Sequence, residues 1–331
     1  MTLVNQFFKY SSFLFILLFY SSCSFNHSEV IINGYTMGTT YSITITGFKD
    51  QEANFKNQID SLLSVLNKHF STYLEDSEIS NINTQESNSF TLSDEFLYVL
   101  QKALYYCEIS DGHYDVTIAP LIDLWGFGPS RKMQIPEQKS IEYALSNVGY
   151  EKIVLTNNIL LNNSKVKIDL NSIAKGYAVD KISEYIMERG YFDFLVEIGG
   201  EIRSSNHERN SWIIGIQNPK ENSIINKIQL NNKSMATSGT YNNFFTYKEK
   251  DYSHILNPKT GYPYIHNSVS ATIIADKCID ADAYATLAMA MNPDKVIELI
   301  NKDSSVECYI LEIQDDKLIE YKSNGFDSFI F

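Results

Sequence analysis

Helices and strands come in blocks along this chain rather than in alternation, and that order most narrows what it can fold into. Val30–Ile32 and Tyr41–Ile45 read as strands around the turn Gly34–Gly38. Ile59, Leu62, Leu63, Leu66 and Phe70 recur at helical spacing and predict an amphipathic helix over Glu52–Phe70. A second helix, Glu95–Ser110, stops at Asp111-Gly112, where glycine is a natural helix end. Next come a short helix near Ile141–Asn147, strands at Lys152–Leu155 and Val166–Leu170, and a helix over Ile173–Arg189 that stops at Gly190. Short strands then follow one another: Phe194–Ile198, Glu201–Ser205, Trp212–Gln217, Asn226–Leu230 and Ser268–Ala275. Two helices, Asp280–Met291 and Pro293–Asn301, precede strands near Val306–Ile313. Strands in runs with helices grouped between them indicate an α+β or layered α/β fold, not a βαβ alternation. Asn/Ser-rich patches at 80–89, 157–164 and 222–234 read as loops or hairpin turns.

The apolar run Phe13–Tyr20 has the length of a signal-peptide core, too short to span a bilayer, and Ser21-Ser22-Cys23 follows it. Small residues before a cysteine resemble a bacterial lipobox, with residues 1–22 as the leader and Cys23 as the lipidated first residue of a mature unit, 23–331. Tyr20 stands where the lipobox prefers leucine, and a soluble secreted protein that discards Cys23 is the alternative. Cys107, Cys278 and Cys308 are widely spaced in apolar contexts and read as buried free thiols, not as a disulfide framework or metal pair. The net charge is −13, with no basic run, so nucleic acid is not an expected partner. No G-x-G-x-x-G or P-loop motif is present, so any nucleotide is held by other means.

Five segments carry chemistry. On a helix over Asp280–Met291, Asp282 and Thr286 share a face, placing two hard oxygen donors suited to Mg²⁺ side by side. The same segment allows Asp280 or Asp282 to be a helix cap and Thr286 an ordinary buried hydroxyl. Gly112–Leu121, followed by Trp125-Gly-Phe-Gly128, is a polar-then-aromatic loop in which Asp115 either accepts from a ligand or caps its own turn. Ile168–Tyr177 runs from strand into helix; Lys175 there is either a phosphate partner or a solvated side chain. Met235–Tyr241 and His254–Gly261 read as polar loops, and His254, before a Pro-Lys-Thr-Gly turn, is either a proton-transfer group or structural.

In order, Met37-Gly-Thr-Thr-Tyr41, Phe70-Ser-Thr-Tyr73, Gly112–Leu121, Trp125–Gly128, Ile168–Tyr177, Glu197-Ile-Gly-Gly-Glu201, Thr237-Ser-Gly-Thr-Tyr241, His254–Gly261 and Ala281–Thr286 resemble the ApbE family of bacterial FAD:protein FMN transferases. The resemblance implies one compact catalytic unit with a T-fold-like layered arrangement, FAD as substrate, Mg²⁺ as cofactor, and a Thr or Ser on another protein as FMN acceptor. It maps flavin contacts onto Met37, Tyr73, His113, Tyr114, Asp115, Asp169, Lys175 and Leu256. Metal ligands fall at Asp282, Thr286 and the main-chain carbonyl of Ser172, and the catalytic base at His254. Asn171-Ser172 departs from the Gly or Ala more usual in the family; a carbonyl ligand does not depend on the side chain. It also implies an envelope lipoprotein facing the periplasm, acting on a subunit of a membrane redox complex. A Mg²⁺-dependent FAD pyrophosphatase and a flavin-binding lipoprotein without chemistry are the rival readings.

Overall fold

The computed structural model describes residues 29–331 apart from 130–131, 163, 209–210, 222, 241–243, 249 and 265–266. The expected leader and Cys23 lie outside the described residues. Eight strands build one sheet, and their spatial order is their order along the chain. They are Glu29–Thr36, Thr39–Thr46, Phe194–Ile198, Glu201–Ser205, Ser234–Gly239, Ser268–Ala275, Glu307–Gln314 and Lys317–Lys322. Every neighbouring pair is antiparallel. Eight helices accompany them among the described residues: α1 (Glu52–Phe70), α2 (Glu78–Thr84), α3 (Asp94–Ile109), α4 (Ala119–Trp125), α5 (Gln138–Leu145), α6 (Ala174–Glu188), α7 (Cys278–Ala290) and α8 (Pro293–Ile300).

The two faces of the sheet bury different partners, and the strand period of two sorts the residues. Ala236, Ile273 and Ile310 point into the main core with residues of α1, α3, α6 and α7. Their neighbours Met235, Ile274 and Leu311 enter a second core under the hairpin Trp212–Gln217/Ile224–Leu230 and the 3₁₀ turn Phe326–Phe329. A third cluster joins α4 and α5 through Leu121, Trp125, Ile141 and Ala144, with Leu256 seated on it. This is the expected α+β layering in one compact unit. Cys107, Cys278 and Cys308 are buried and free, as their contexts predict.

Several segments differ from the sequence reading: residues 80–84, read as loop, belong to α2, and α4 is a helix inside the expected polar-then-aromatic loop. Val166–Leu170 is not a strand, although Val166, Ile168 and Leu170 are buried. A side chain serves its backbone instead: the Asn83 amide donates to the Ile168 carbonyl (2.8 Å) and accepts from the Ile168 N–H (2.7 Å). The Asp169 N–H donates to the Val116 carbonyl at 2.7 Å. Conversely, Met235–Tyr241 is no loop, because Ser234–Gly239 is an inner strand of the main sheet. Its hydroxyls read as polar, but Thr237 Oγ1 is 2.9 Å from Thr272 Oγ1 across the ladder, so the pair satisfies itself.

The cap of α7 comes from α6. Asp180 accepts from the N–H groups of Cys278 (3.0 Å) and Ile279 (2.9 Å), and Arg203 donates to it at 2.6 Å. Asp180 thus satisfies two otherwise orphaned helix amides and complements the dipole there. It ties α6, α7 and strand Glu201–Ser205 together. Asp180→Ala leaves Arg203 and the α7 amides unpaired at a buried junction; it should cost about 3–5 kcal/mol, read by urea unfolding. A loss below about 1 kcal/mol would show that the junction is held elsewhere.

Candidate active site

Asp282 lies in a buried polar cluster at the meeting of α6 and α7. It is 2 % exposed, and its Oδ2 accepts from the Gly176 N–H at 2.9 Å. A side chain at Gly176 would stand 2.7 Å from the Asp282 Cβ and closer still to the Cys278 carbonyl, so only glycine lets the helices meet here. Lys175, one residue earlier on α6, places its Nζ 2.5 Å from Glu201 Oε1 and 3.8 Å from Asp282 Oδ1. Glu201 opens its strand after Gly199 and Gly200, both at positive φ (60° and 103°), and is buried at 4 % exposure. Its Oε2 is buried with no hydrogen-bond partner. Lys175 keeps 27 % of its side chain exposed, and its ammonium rests on a floor of two buried carboxylates.

Burial is the main influence on all three charges. It pushes the Asp282 carboxyl up, against the pull of Lys175. It pushes Glu201 up to about 8, helped by Asp282 and opposed by Lys175. Burial works against the Lys175 charge too, but Asp282 and Glu201 together hold that ammonium above its ordinary value. With all three ionised, two negative charges face one positive in a poorly solvated place, an arrangement that favours a further cation.

The other expected metal ligands stand on α7 and just before α6, the two helices that meet at Asp282 and Gly176. Thr286 lies one turn beyond Asp282 on α7, and its Oγ1 is 3.4 Å from Ser238 Oγ on the inner strand. Ser172 precedes α6, and its hydroxyl donates to the Tyr114 oxygen at 2.8 Å. The helix-cap alternative for Asp280 and Asp282 does not hold: Asp280 accepts from Lys102 (2.9 Å) and Tyr106 (2.6 Å), Asp282 from Gly176. Among the described residues, no three His, Cys, Asp or Glu side chains converge as a ready metal cage. The donors are instead one carboxylate, hydroxyls and main-chain carbonyls, an oxygen set that suits Mg²⁺. With the surplus negative charge and the unpartnered Glu201 oxygen, the residues fit that ion.

The expected flavin contacts divide into a structural and an accessible group. Asp115 is tied into its own loop: Oδ1 accepts from the Thr117 N–H (2.8 Å) and hydroxyl (2.6 Å), and Oδ2 from the Tyr150 N–H (2.9 Å). That is the turn-capping alternative. Asp169, pushed up to about 6 by burial, holds Asn171 through its N–H (2.8 Å) and side-chain amide (2.9 Å). Tyr114 and Leu256 are buried, whereas Tyr73 is 52 % exposed. Met37 occupies a turn at φ 48° and packs partly on the main core. His113, whose pKa burial lowers, meets Tyr264 at 3.1 Å, a contact the sequence reading omits.

His254 follows the hairpin Phe244–Tyr247/Lys250–Ser253 and opens the turn that the sequence predicts. Tyr252 stacks on Trp125 with ring centroids 5.6 Å apart, Phe127 lies 6.3 Å from the His254 ring, and the Trp125 indole donates to the Gly261 carbonyl at 2.8 Å. Behind His254, Ile255 enters the main core and Leu256 the α4–α5 cluster. The aromatic segment Leu124–Gly128 thereby serves as the seat of the His254 turn.

This layered fold is shared with known proteins. The ApbE family model matches residues 37–310, and the chain belongs to the ApbE family. It is 33% identical over 324 residues to the FAD:protein FMN transferase of Vibrio cholerae, covering 95% of this chain and 96% of that one. With the protein of the same name from Haemophilus influenzae it shares 36% over 329 residues, covering 92% and 93%. The solved flavin transferase ApbE of Vibrio cholerae superposes with a TM-score of 0.85 at 32% identity, over 92% of this chain and 99% of that one. The ApbE protein of Thermotoga maritima gives 0.83 at 28%, over 91% and 99%.

Proposed function

We infer that this chain transfers FMN from FAD to a Thr or Ser hydroxyl of an acceptor protein and releases AMP. Its curated relatives carry that activity in their names. The single observation within the chain that best supports it is the Lys175 ammonium held by buried Asp282 and Glu201 at the junction of α6 and α7. A pyrophosphate brings negative charge that must be met by fixed positive charge, and water alone does not orient it. A protein acceptor follows from the transfer itself; a subunit of a membrane redox complex is the partner the family resemblance suggests.

In the reaction, the acceptor oxygen bonds to the FMN phosphorus of FAD, and the bond from that phosphorus to the bridging oxygen breaks, so the electron pair leaves with AMP. The acceptor proton passes to His254, which acts as the general base. Lys175 faces the phosphates. Met37, Tyr73, His113, Tyr114 and Leu256 hold the flavin, while Asp115 and Asp169 keep their loops in shape beside it. Asp282, Thr286 and the Ser172 carbonyl would hold Mg²⁺, which when bound supplies Lewis-acid relief of the phosphate charge. Cys23 carries the lipid that places the enzyme on the envelope membrane, facing the periplasm. Among the described residues no helix is long and apolar enough to cross a membrane.

Three outcomes test these assignments. Asp282→Ala should abolish FAD cleavage, and wild-type turnover should vanish in EDTA and return with Mg²⁺; turnover undiminished by EDTA would make the Asp/Thr pair structural. His254→Ala should hold FAD affinity within a few-fold while FMN transfer drops roughly 10²–10⁴-fold, both measured on one preparation checked by circular dichroism. Transfer near wild type would remove His254 as the base. Cys23→Ser should move the protein from membrane to soluble fraction with activity intact, and continued membrane association would count against the anchor.

A further inference from the structure

We propose that Glu201 is a positioning residue of the transfer site: it holds Lys175 in place and supplies the second buried negative charge that draws the cation to Asp282 and Thr286. The inference rests on the reading of that pair as a Mg²⁺ site, and extends it to a residue that would touch neither flavin nor metal ligand directly. Three observations carry it. Glu201 Oε1 is 2.5 Å from Lys175 Nζ, which itself is 3.8 Å from Asp282 Oδ1, so Lys175 bridges the two carboxylates. The other Glu201 oxygen, Oε2, is buried without a partner, an expensive arrangement for a carboxylate unless something further complements it. Two glycines at positive φ force the turn that delivers Glu201 from the sheet to the helix pair.

Charge counting makes the role specific. Once a cation at the floor holds both carboxylates ionised, Asp282 and Glu201 contribute −2 and Lys175 +1, a surplus of one negative charge to offset it. Without Glu201, Lys175 would cancel Asp282 and the floor would be neutral, with little to offset the cost of dehydrating a divalent ion. Glu201 therefore lets the protein keep both a cationic group for phosphate and a cation site, a few ångströms apart. A residue that only packs would give no such dependence on the charge of Lys175.

The test is Mn²⁺ binding to the purified full chain without FAD, by electron paramagnetic resonance. Glu201→Gln should weaken binding about tenfold or more, since even a modest charge interaction exceeds 1.4 kcal/mol at this depth. Glu201→Asp, which keeps the charge, should stay within a few-fold of wild type. Lys175→Met should bind Mn²⁺ more tightly than wild type, and Glu201→Gln/Lys175→Met should return toward it, because the surplus of one negative charge is restored. That double variant also removes the unpaired buried ammonium that threatens folding of the single one. Wild-type affinity in Glu201→Gln, or no recovery in a folded double variant, would overturn the role of Glu201. Failure of the wild type to bind Mn²⁺, or binding unaffected by Asp282→Ala, would instead sink the metal site on which it rests.

Discussion

The contact of α6 with α7 at Gly176 sets the geometry on which everything else depends. The Gly176 N–H donates to Asp282, and a side chain there would collide with both the Cys278 backbone and Asp282 itself. One turn further along α6, Asp180 closes the N-terminus of α7 by accepting from Cys278 and Ile279. The two contacts fix the position and rotation of α7 against α6. They decide which face of α7 carries Asp282 toward Lys175, and so where any cation or phosphate can be met. The strands beneath reinforce this arrangement: Arg203 reaches up to Asp180 and Glu201 to Lys175, both from one short strand.

That arrangement has an electrostatic cost that a structural role alone does not explain. Three ionisable groups sit together with unequal charge, and one carboxylate oxygen has no partner. Buried ion pairs are at best weak contributors to stability, and a surplus charge makes the balance worse. Groups held this way accumulate where charge on a ligand is to be met. The contrast with Asp180 is instructive. It is equally buried, yet every approach to it is satisfied by Arg203 and two amides, as a purely architectural carboxylate requires.

The layering and most elements were legible in the sequence because periodicity and helix stops report local structure. The helix Glu52–Phe70 was predicted with both ends as observed, and strands Phe194–Ile198 and Ser268–Ala275 likewise. Failures came where a distant partner replaces a local signal. Val166–Leu170 is buried and β-like in composition, but Asn83 takes up its backbone, and no window around it contains that information. The inner strand Ser234–Gly239 hides behind hydroxyls whose partners, Thr272 on the next strand and Thr286 on α7, are distant in sequence. In the site, Asp282 and Thr286 follow from helical spacing, and the family resemblance supplies the rest of the expected set. Asp180 and Tyr264 leave no mark in the sequence, since the α7 cap and the His113 contact join residues 98 and 151 positions apart. Glu201 stood within a recognised motif, but its role depends on Lys175, 26 residues earlier on another element.

His254 shows why the chemistry is divided between separate pieces of the fold. The carboxylates and Lys175 stand on α6, α7 and a strand end within the main core, whereas His254 stands on a turn seated against Trp125 and Phe127. Two ties join these pieces: Ile255, which enters the main core, and Tyr264, whose hydroxyl meets both the ring and the carbonyl of His113. Those ties keep the turn from drifting relative to α7. An in-line displacement at phosphorus needs the proton acceptor on the side of the incoming oxygen and the charge-bearing groups around the leaving one. A single element could not present both sides, since neighbouring residues on a helix face share one direction. On the proposed reading the base stands on the aromatic seat and the charged floor on the helix pair, so separate elements present the two sides of the displacement.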